Sequence, residues 1–166
     1  MLPDAGQVLH FSEDPTITVF RPHVAPTSRE TEPYVWAVDG QNAPSYWFPR
    51  DCPRVCSWPR PDATGARVHA IEYAWLDRLR TVRLFAYRFP AGQFRPIGKP
   101  YPHAWVSTEV VRPLGPPEET GDLLAAHEAA GIELRLLRHL RPYMDSVVAS
   151  GLRFSGIRLR NAARSG

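Results

Sequence analysis

The clearest alternation of apolar and polar positions runs through residues 82–89, VRLFAYRF. Successive side chains of a strand point to opposite faces, so Val82, Leu84, Ala86 and Arg88 fall on one side there. Arg83, Phe85, Tyr87 and Phe89 fall on the other. Residues 7–11 (QVLHF) read as a shorter strand with His10 near its carboxyl end. Residues 35–38 are apolar on both faces, the mark of a strand inside a sheet. Residues 67–73 (RVHAIEY) alternate as a strand that runs into a brief helix over 74–80, and residues 53–58 are extended. Residues 104–112 (AWVSTEVVR) form a further strand, which places Trp105, Ser107, Glu109 and Val111 on one face. Residues 132–137 (IELRLL) alternate once more.

Helical signals are fewer and shorter. Ser12, Glu13, Asp14 and Pro15 have the composition of a first helical turn, with Ile17 and Phe20 spaced to pack one side. An Asp39-Gly40 corner leads into a short aromatic helix holding Ser45, Tyr46 and Trp47. Asp39 or Asn42 caps it, and Pro44 is tolerated because it lies near the start. Over 120–130, Leu123, Leu124 and His127 line one side of a helix that Gly131 stops. A last helix spans 142–150, and the tail LRFSGIRLRNAARSG is extended and basic. Residues 21–33 and 57–65, rich in proline, are connecting loops. Short, numerous strands with small interspersed helices predict an α+β fold with a mixed or antiparallel sheet. The chain reads as a single domain over 1–166, with residues 113–166 a helix–strand–helix extension beyond the break at Pro113 to Pro117.

Composition changes this picture only at the margins. The 166 residues suit one domain with a sizeable core, and 43% apolar with 22% charged residues is a globular balance. Eighteen prolines against eleven glycines agree with many short elements joined by sharp connections. No run of eighteen apolar residues and no basic-then-apolar leader is present, so neither a membrane helix nor a secretory signal is expected. Cys52 and Cys56 form a lone C-x3-C pair, short of the four ligands of a structural zinc site. Adding His23 and His69 matches no ligand spacing, so reduced, partly buried thiols of a cytoplasmic protein are expected. Net charge is +3, and Lys99 is the only lysine among twenty cationic residues. That balance permits nucleic-acid binding without indicating it.

Candidate chemistry gathers around His10, the Ser45-Tyr46 pair, Arg50 and Glu109. A strand carboxylate beside a pocket can stabilise the oxocarbenium-like state of glycosyl transfer. A tyrosine ring offers a stacking platform for a flat heterocycle, and hydroxyl and imidazole groups can bind an amide and a ribose. Arg50 can meet a phosphate or pair with Asp51. The order His10, the Val35-Trp36-Ala37 strand, Ser45, Tyr46 and Glu109 resembles the His-Tyr-Glu branch of the ADP-ribosyltransferase fold. In place of the glycine usual after that histidine stands Phe11. The resemblance, over residues 7–112, implies an NAD-binding core in which His10 binds the adenosine ribose, Tyr46 stacks on nicotinamide and Ser45 holds the carboxamide. Glu109 would be the catalytic residue of an NAD-dependent ADP-ribosyl transfer, with the acceptor open among protein, nucleic acid and small molecule. The segments HFSED, FPRDCPRV and FSGIRLRNA also resemble an uncharacterised bacterial family of unknown function, across nearly the whole chain.

Each of these residues has an ordinary reading as well. His10 can be a hydrogen-bonded strand histidine, the three rings Tyr46, Trp47 and Phe48 core packing, and Glu109 a solvated carboxylate. The alternative function class is a non-catalytic nucleotide- or nucleic-acid-binding protein that uses the tail. Arg153, Arg158, Arg160 and Arg164 with Phe154 would supply phosphate contacts and stacking. Against it stands a tail whose Leu152, Phe154 and Ile157 merely pin it to a sheet.

Overall fold

The computed structural model describes residues 1–24, 31–60 and 64–164. Its strands are Gln7–Ser12 (β1), Val35–Ala37 (β2), Arg54–Ser57 (β3), Val68–Glu72 (β4), Phe85–Pro90 (β5), Arg95–Ile97 (β6), Ala104–Ser107 (β7), Glu118–Glu119 (β8), Glu133–Leu137 (β9) and Phe154–Ile157 (β10). The α-helices are Leu76–Thr81 (α1), Leu123–Ala129 (α2) and Leu140–Ala149 (α3). The fold is α+β with antiparallel and mixed sheets and short helices, as the patterning predicts. The chain divides into two compact units, each built from two segments: residues 1–47 with 83–121, and 48–82 with 122–166.

The first unit holds the sheets β1-β5-β8 and β2-β7-β6. β1 runs antiparallel to β5, in register from Gln7 opposite Pro90 to Ser12 opposite Phe85. Directly opposed residues share a face, so Val8 and His10 lie with Phe89 and Tyr87, while Leu9 and Phe11 lie with Arg88 and Ala86. The first face packs a core with Phe20, Val35, Phe94 and Val111. The second packs Leu9 and Ala86 with Val38 and Ala43, covered by Met1, Phe11 and Tyr46. Each fully buried large side chain, such as Phe89, contributes roughly 2–3 kcal/mol of apolar burial. A pair of backbone hydrogen bonds between Leu9 and Val38, at 2.9 and 2.8 Å, ties β1 to the end of β2.

The helix expected from Ser12 does not form, and Tyr87 is the reason. Its hydroxyl donates to the Asp14 carbonyl at 2.6 Å and accepts the Ile17 N–H at 3.1 Å. Those are backbone groups that a helical turn would have used. The Asp14 carboxylate then accepts the Thr16 N–H at 2.8 Å, a turn bond that competes with helix. Phe20 instead bridges Val111 as extended backbone.

The second unit holds one four-stranded sheet in the order β10-β3-β4-β9, with β4 and β9 parallel and the other pairs antiparallel. Every residue of β4 is buried, as the central strand of a covered sheet should be. On one face Val55 and Ala70 pack against Leu140 and Val147 of α3 and against Ala162. Glu72, buried at 3% exposure, stands in for a local helix cap on this face. Its carboxylate accepts the N–H of Leu140 at 3.1 Å and that of Ala163 at 3.0 Å. The N–H of Leu140 is one of the donors a helix start leaves without an intrahelical partner. Asp122 caps α2 through the N–H groups of Leu124 and Ala125, and Gly131 ends that segment with φ +64°. The tail is ordered by β10 and by Leu152 and Leu159 packing on the α3 side.

Candidate functional site

The structure places the sequence-predicted residues as follows. His10 Nδ1 donates to the Trp36 carbonyl at 2.8 Å, and its ring meets Phe20 edge-on at 5.0 Å. It therefore lies on the Tyr87 face of β1. Ser45 is buried at 2% exposure and Tyr46 is half-buried, both in a 3₁₀ helix over Ala43–Tyr46. Asp39 organises that helix by accepting the Asn42 N–H at 2.9 Å. Tyr46 packs against the cluster of Leu9, Val38 and Ala86, on the opposite face of β1 from His10. β7 ends at Ser107, so Glu109 lies in an exposed bend beyond the strand, its N–H donating to Ser107 Oγ at 3.2 Å. Arg50 belongs to the second unit, exposed in a turn whose carbonyl accepts from Arg158 Nε at 3.3 Å. The fold thus directs His10 and Tyr46 to different sides of one strand, and Glu109 occupies a bend instead of the strand face expected for it.

In the second unit a different group comes together. The Trp58 N–H donates to the Arg153 carbonyl at 2.9 Å, extending the β3–β10 pairing by one residue. This pairing draws the Arg153 guanidinium over the Trp58 ring, 4.6 Å from its centre. Arg67, just before β4, lies over the same ring at 4.3 Å. The Nε of Arg67 is buried. Burial pushes Arg67 down to about 10, and the like charge of Arg153 acts in the same direction. Each stacking contact offsets part of the cost, at roughly 0.5–2 kcal/mol. Phe154, next to Arg153, is exposed at 38%. Sequence reasoning picked out Arg153 and Phe154 but missed Trp58 and Arg67. The signal available was a strand, a tryptophan and then an arginine opening the next strand of a hairpin.

The face of this sheet that carries Cys56 is polar and closed. His69 stands directly opposite Cys56, and its Nδ1 lies 3.0 Å from Nε2 of His127. His127 Nδ1 lies 2.6 Å from the Leu123 carbonyl, which can only accept, so that nitrogen carries the proton. His127 Nε2 is then an acceptor, His69 Nδ1 the donor to it, and His69 Nε2 a bare acceptor that meets no donor. Phe48 packs on both rings, at 5.6 and 4.9 Å. Burial lowers both histidines, His69 to about 2, and Arg67 adds to each. Arg54, also buried, donates to the Cys52 carbonyl at 2.9 Å and lies over Phe48 at 5.2 Å. Burial pushes the Cys52 thiol up to about 12, which keeps it protonated and unreactive. Both cysteines are buried and neither forms a disulfide. Among the described residues no three His, Cys, Asp or Glu side chains are placed to hold a metal ion.

An open groove of about 440 Å³ in the first unit is lined by Pro15, Ile17, Arg112, Pro113 and Pro117, with little polar surface. No helix among the described residues is long and apolar enough to cross a membrane.

A family model described as a family of unknown function (DUF6886) matches residues 9–162. No curated protein and no solved structure matches the chain. The likeness to a family of unknown function, carried by HFSED, FPRDCPRV and FSGIRLRNA, is the one these findings support. Nothing in them supports an ADP-ribosyltransferase-like fold.

Proposed function

We propose that this chain, which belongs to DUF6886, is a non-catalytic binding protein for a phosphate-bearing ligand of the nucleotide or nucleic-acid class. The second unit is the binding part, through the basic segment that ends in β10. One observation carries the reading: the guanidinium groups of Arg67 and Arg153 are held over a single indole. The charge of Arg153 acts against that of Arg67, and a bound anion relieves that repulsion. Guanidinium forks match the oxygens of phosphate better than any other side chain does. NAD-dependent transfer has no comparable support, because His10 and Tyr46 address opposite faces of β1.

The test is fluorescence anisotropy with a short labelled single-stranded oligonucleotide, with NAD as an unlabelled competitor. Two neutralised phosphates at ~0.7 each give a slope of about −1.4 for log affinity against log salt between about 50 and 200 mM. Arg153→Gln should lower that slope by about half. No binding at the low-salt end, or binding that ignores both salt and Arg153, would sink the proposal.

A further inference from the structure

We infer that the outer edge of β9 is a self-association surface, on which a second copy of this chain adds its own β9 in antiparallel register. The inference stands apart from the phosphate-binding reading, since it uses neither Trp58 nor its arginines. β9 ends the sheet order β10-β3-β4-β9, and among the described residues no strand pairs with its outer side. The Glu133 N–H donates inward, to the Arg67 carbonyl at 2.9 Å. Backbone groups alternate in direction along a strand, so the N–H and C=O of Leu134 and Leu136 point away from β4. An open edge of this kind is a template for another strand.

The remaining sheet ends are blunted. β8 has two residues and β2 three, β6 holds Pro96, β10 holds Gly156, and β1 is tied to Val38. Proline and glycine weaken a strand as a template. β9 has neither in its sequence, ELRLL. Its charges also name the occupant. Glu133 and Arg135 are exposed and pair with one another at 2.7 Å. When two antiparallel copies meet about a two-fold axis at Leu134, Glu133 of each stands directly opposite Arg135 of the other. Directly opposed residues of this non-hydrogen-bonded kind have Cα atoms about 4.5 Å apart, so each carboxylate sits between two guanidinium groups. Leu134 exchanges two backbone hydrogen bonds with its own copy. Sliding the copies until Leu134 faces Leu136 sets Arg135 directly against Arg135, which like charge disfavours. The edge is thus complementary to itself in one register, and it closes once filled. So short an edge is small beside a standard interface, and the dimer should dissociate on dilution.

Sedimentation velocity on the full-length chain over a wide range of concentration tests this. The wild type should pass reversibly from monomer to dimer. Leu134→Pro removes an outward N–H and keeps the inward ladder, so it should be monomeric with an unchanged circular dichroism spectrum. Glu133→Arg and Arg135→Glu should each weaken the homodimer at least about tenfold, since each sets like charges opposite one another. Mixed together, those two variants should pair again, because each supplies the charge that the other lacks. That mixture keeps the inference testable should Leu134→Pro not fold. A wild type that stays monomeric up to its solubility limit would overturn the inference. So would a dimer indifferent to Leu134→Pro, or one that both charge reversals leave at wild-type strength, because the contact would then lie elsewhere or in another register. None of these outcomes alters the oligonucleotide titration, so the two readings fail separately.

Discussion

Acid should weaken this protein before its carboxylates titrate, through His69 and His127. An ordinary histidine takes up its proton near pH 6.5, while burial holds His69 neutral down to about 2. His127 is lowered too, by burial first. A base whose folded pKa is depressed binds its proton preferentially in the unfolded chain. The stability it contributes is complete above about pH 6.5 and is lost as pH falls below that. His69 removes about 1.4 kcal/mol per pH unit once the pH is well below 6.5. From His69 alone the loss between pH 6.5 and 5 is about 2 kcal/mol, and His127 adds to it with the same sign. The hydrogen-bond order supports this assignment independently. His127 Nδ1 must donate to Leu123, which leaves His127 Nε2 an acceptor only while it is neutral. Urea midpoints followed by far-UV circular dichroism across pH 5 to 7.5 measure the slope. In His69→Gln it should fall by about 1.4 kcal/mol per pH unit. A wild-type slope near zero between pH 6.5 and 5, or an unchanged slope in His69→Gln, would refute the reasoning. Should that variant not fold, nitrogen NMR of the wild type at pH 5.5 decides, since the His69 ring must then show a protonated Nδ1 and a bare Nε2.

Two further outcomes follow from single hydrogen-bonded groups. Glu72→Ala strips the carboxylate from the buried N–H of Leu140 and from Ala163, and should cost about 1–3 kcal/mol. Amide exchange should show the loss first in α3 and the segment around Ala163. Tyr87→Phe removes the hydroxyl that joins the Asp14 carbonyl and the Ile17 N–H, at about 1–2 kcal/mol. Its thermal midpoint should drop by about 2–4 °C per kcal/mol lost, and a midpoint equal to wild type would mean that the Asp14 turn stands on its own.

Period-two alternation made the sheet legible, because burial enforces it. Residues 82–89 and 67–73 each put large apolar side chains where β5 and β4 bury them. Gly131 marked the end of the α2 segment by local backbone chemistry, which needs no knowledge of the rest of the chain. The failures came where a distant side chain decided a local matter. Ser12 to Pro15 has the letters of a helix start, yet Tyr87, about seventy residues on, takes its backbone groups. Glu109 has the spacing of a strand residue, but the ladder of β7 ends at Ser107. His10 and Tyr46 lie on opposite faces of β1, and order along a chain does not say which face of a strand a later helix will cover. His69 and His127 were visible as polar letters inside apolar patterns. That they share one proton chain depends on α2 packing over β4, which no spacing reveals.

The interleaved segments of the two units bear on how this chain is made. On a ribosome, every strand of the first unit has been synthesised once Gly121 is reached. β3 and β4 are made early, yet their outer partners β10 and β9 lie at residues 154–157 and 133–137. At ~5–20 residues per second, the β3–β4 pair waits on the order of ten seconds for both outer strands. Throughout that interval the β3–β4 pair has both outer edges open, the condition under which nascent chains pair wrongly or recruit chaperones. The second unit is thus the late and vulnerable half of the molecule, and it is also the half that carries Trp58 and its two arginines.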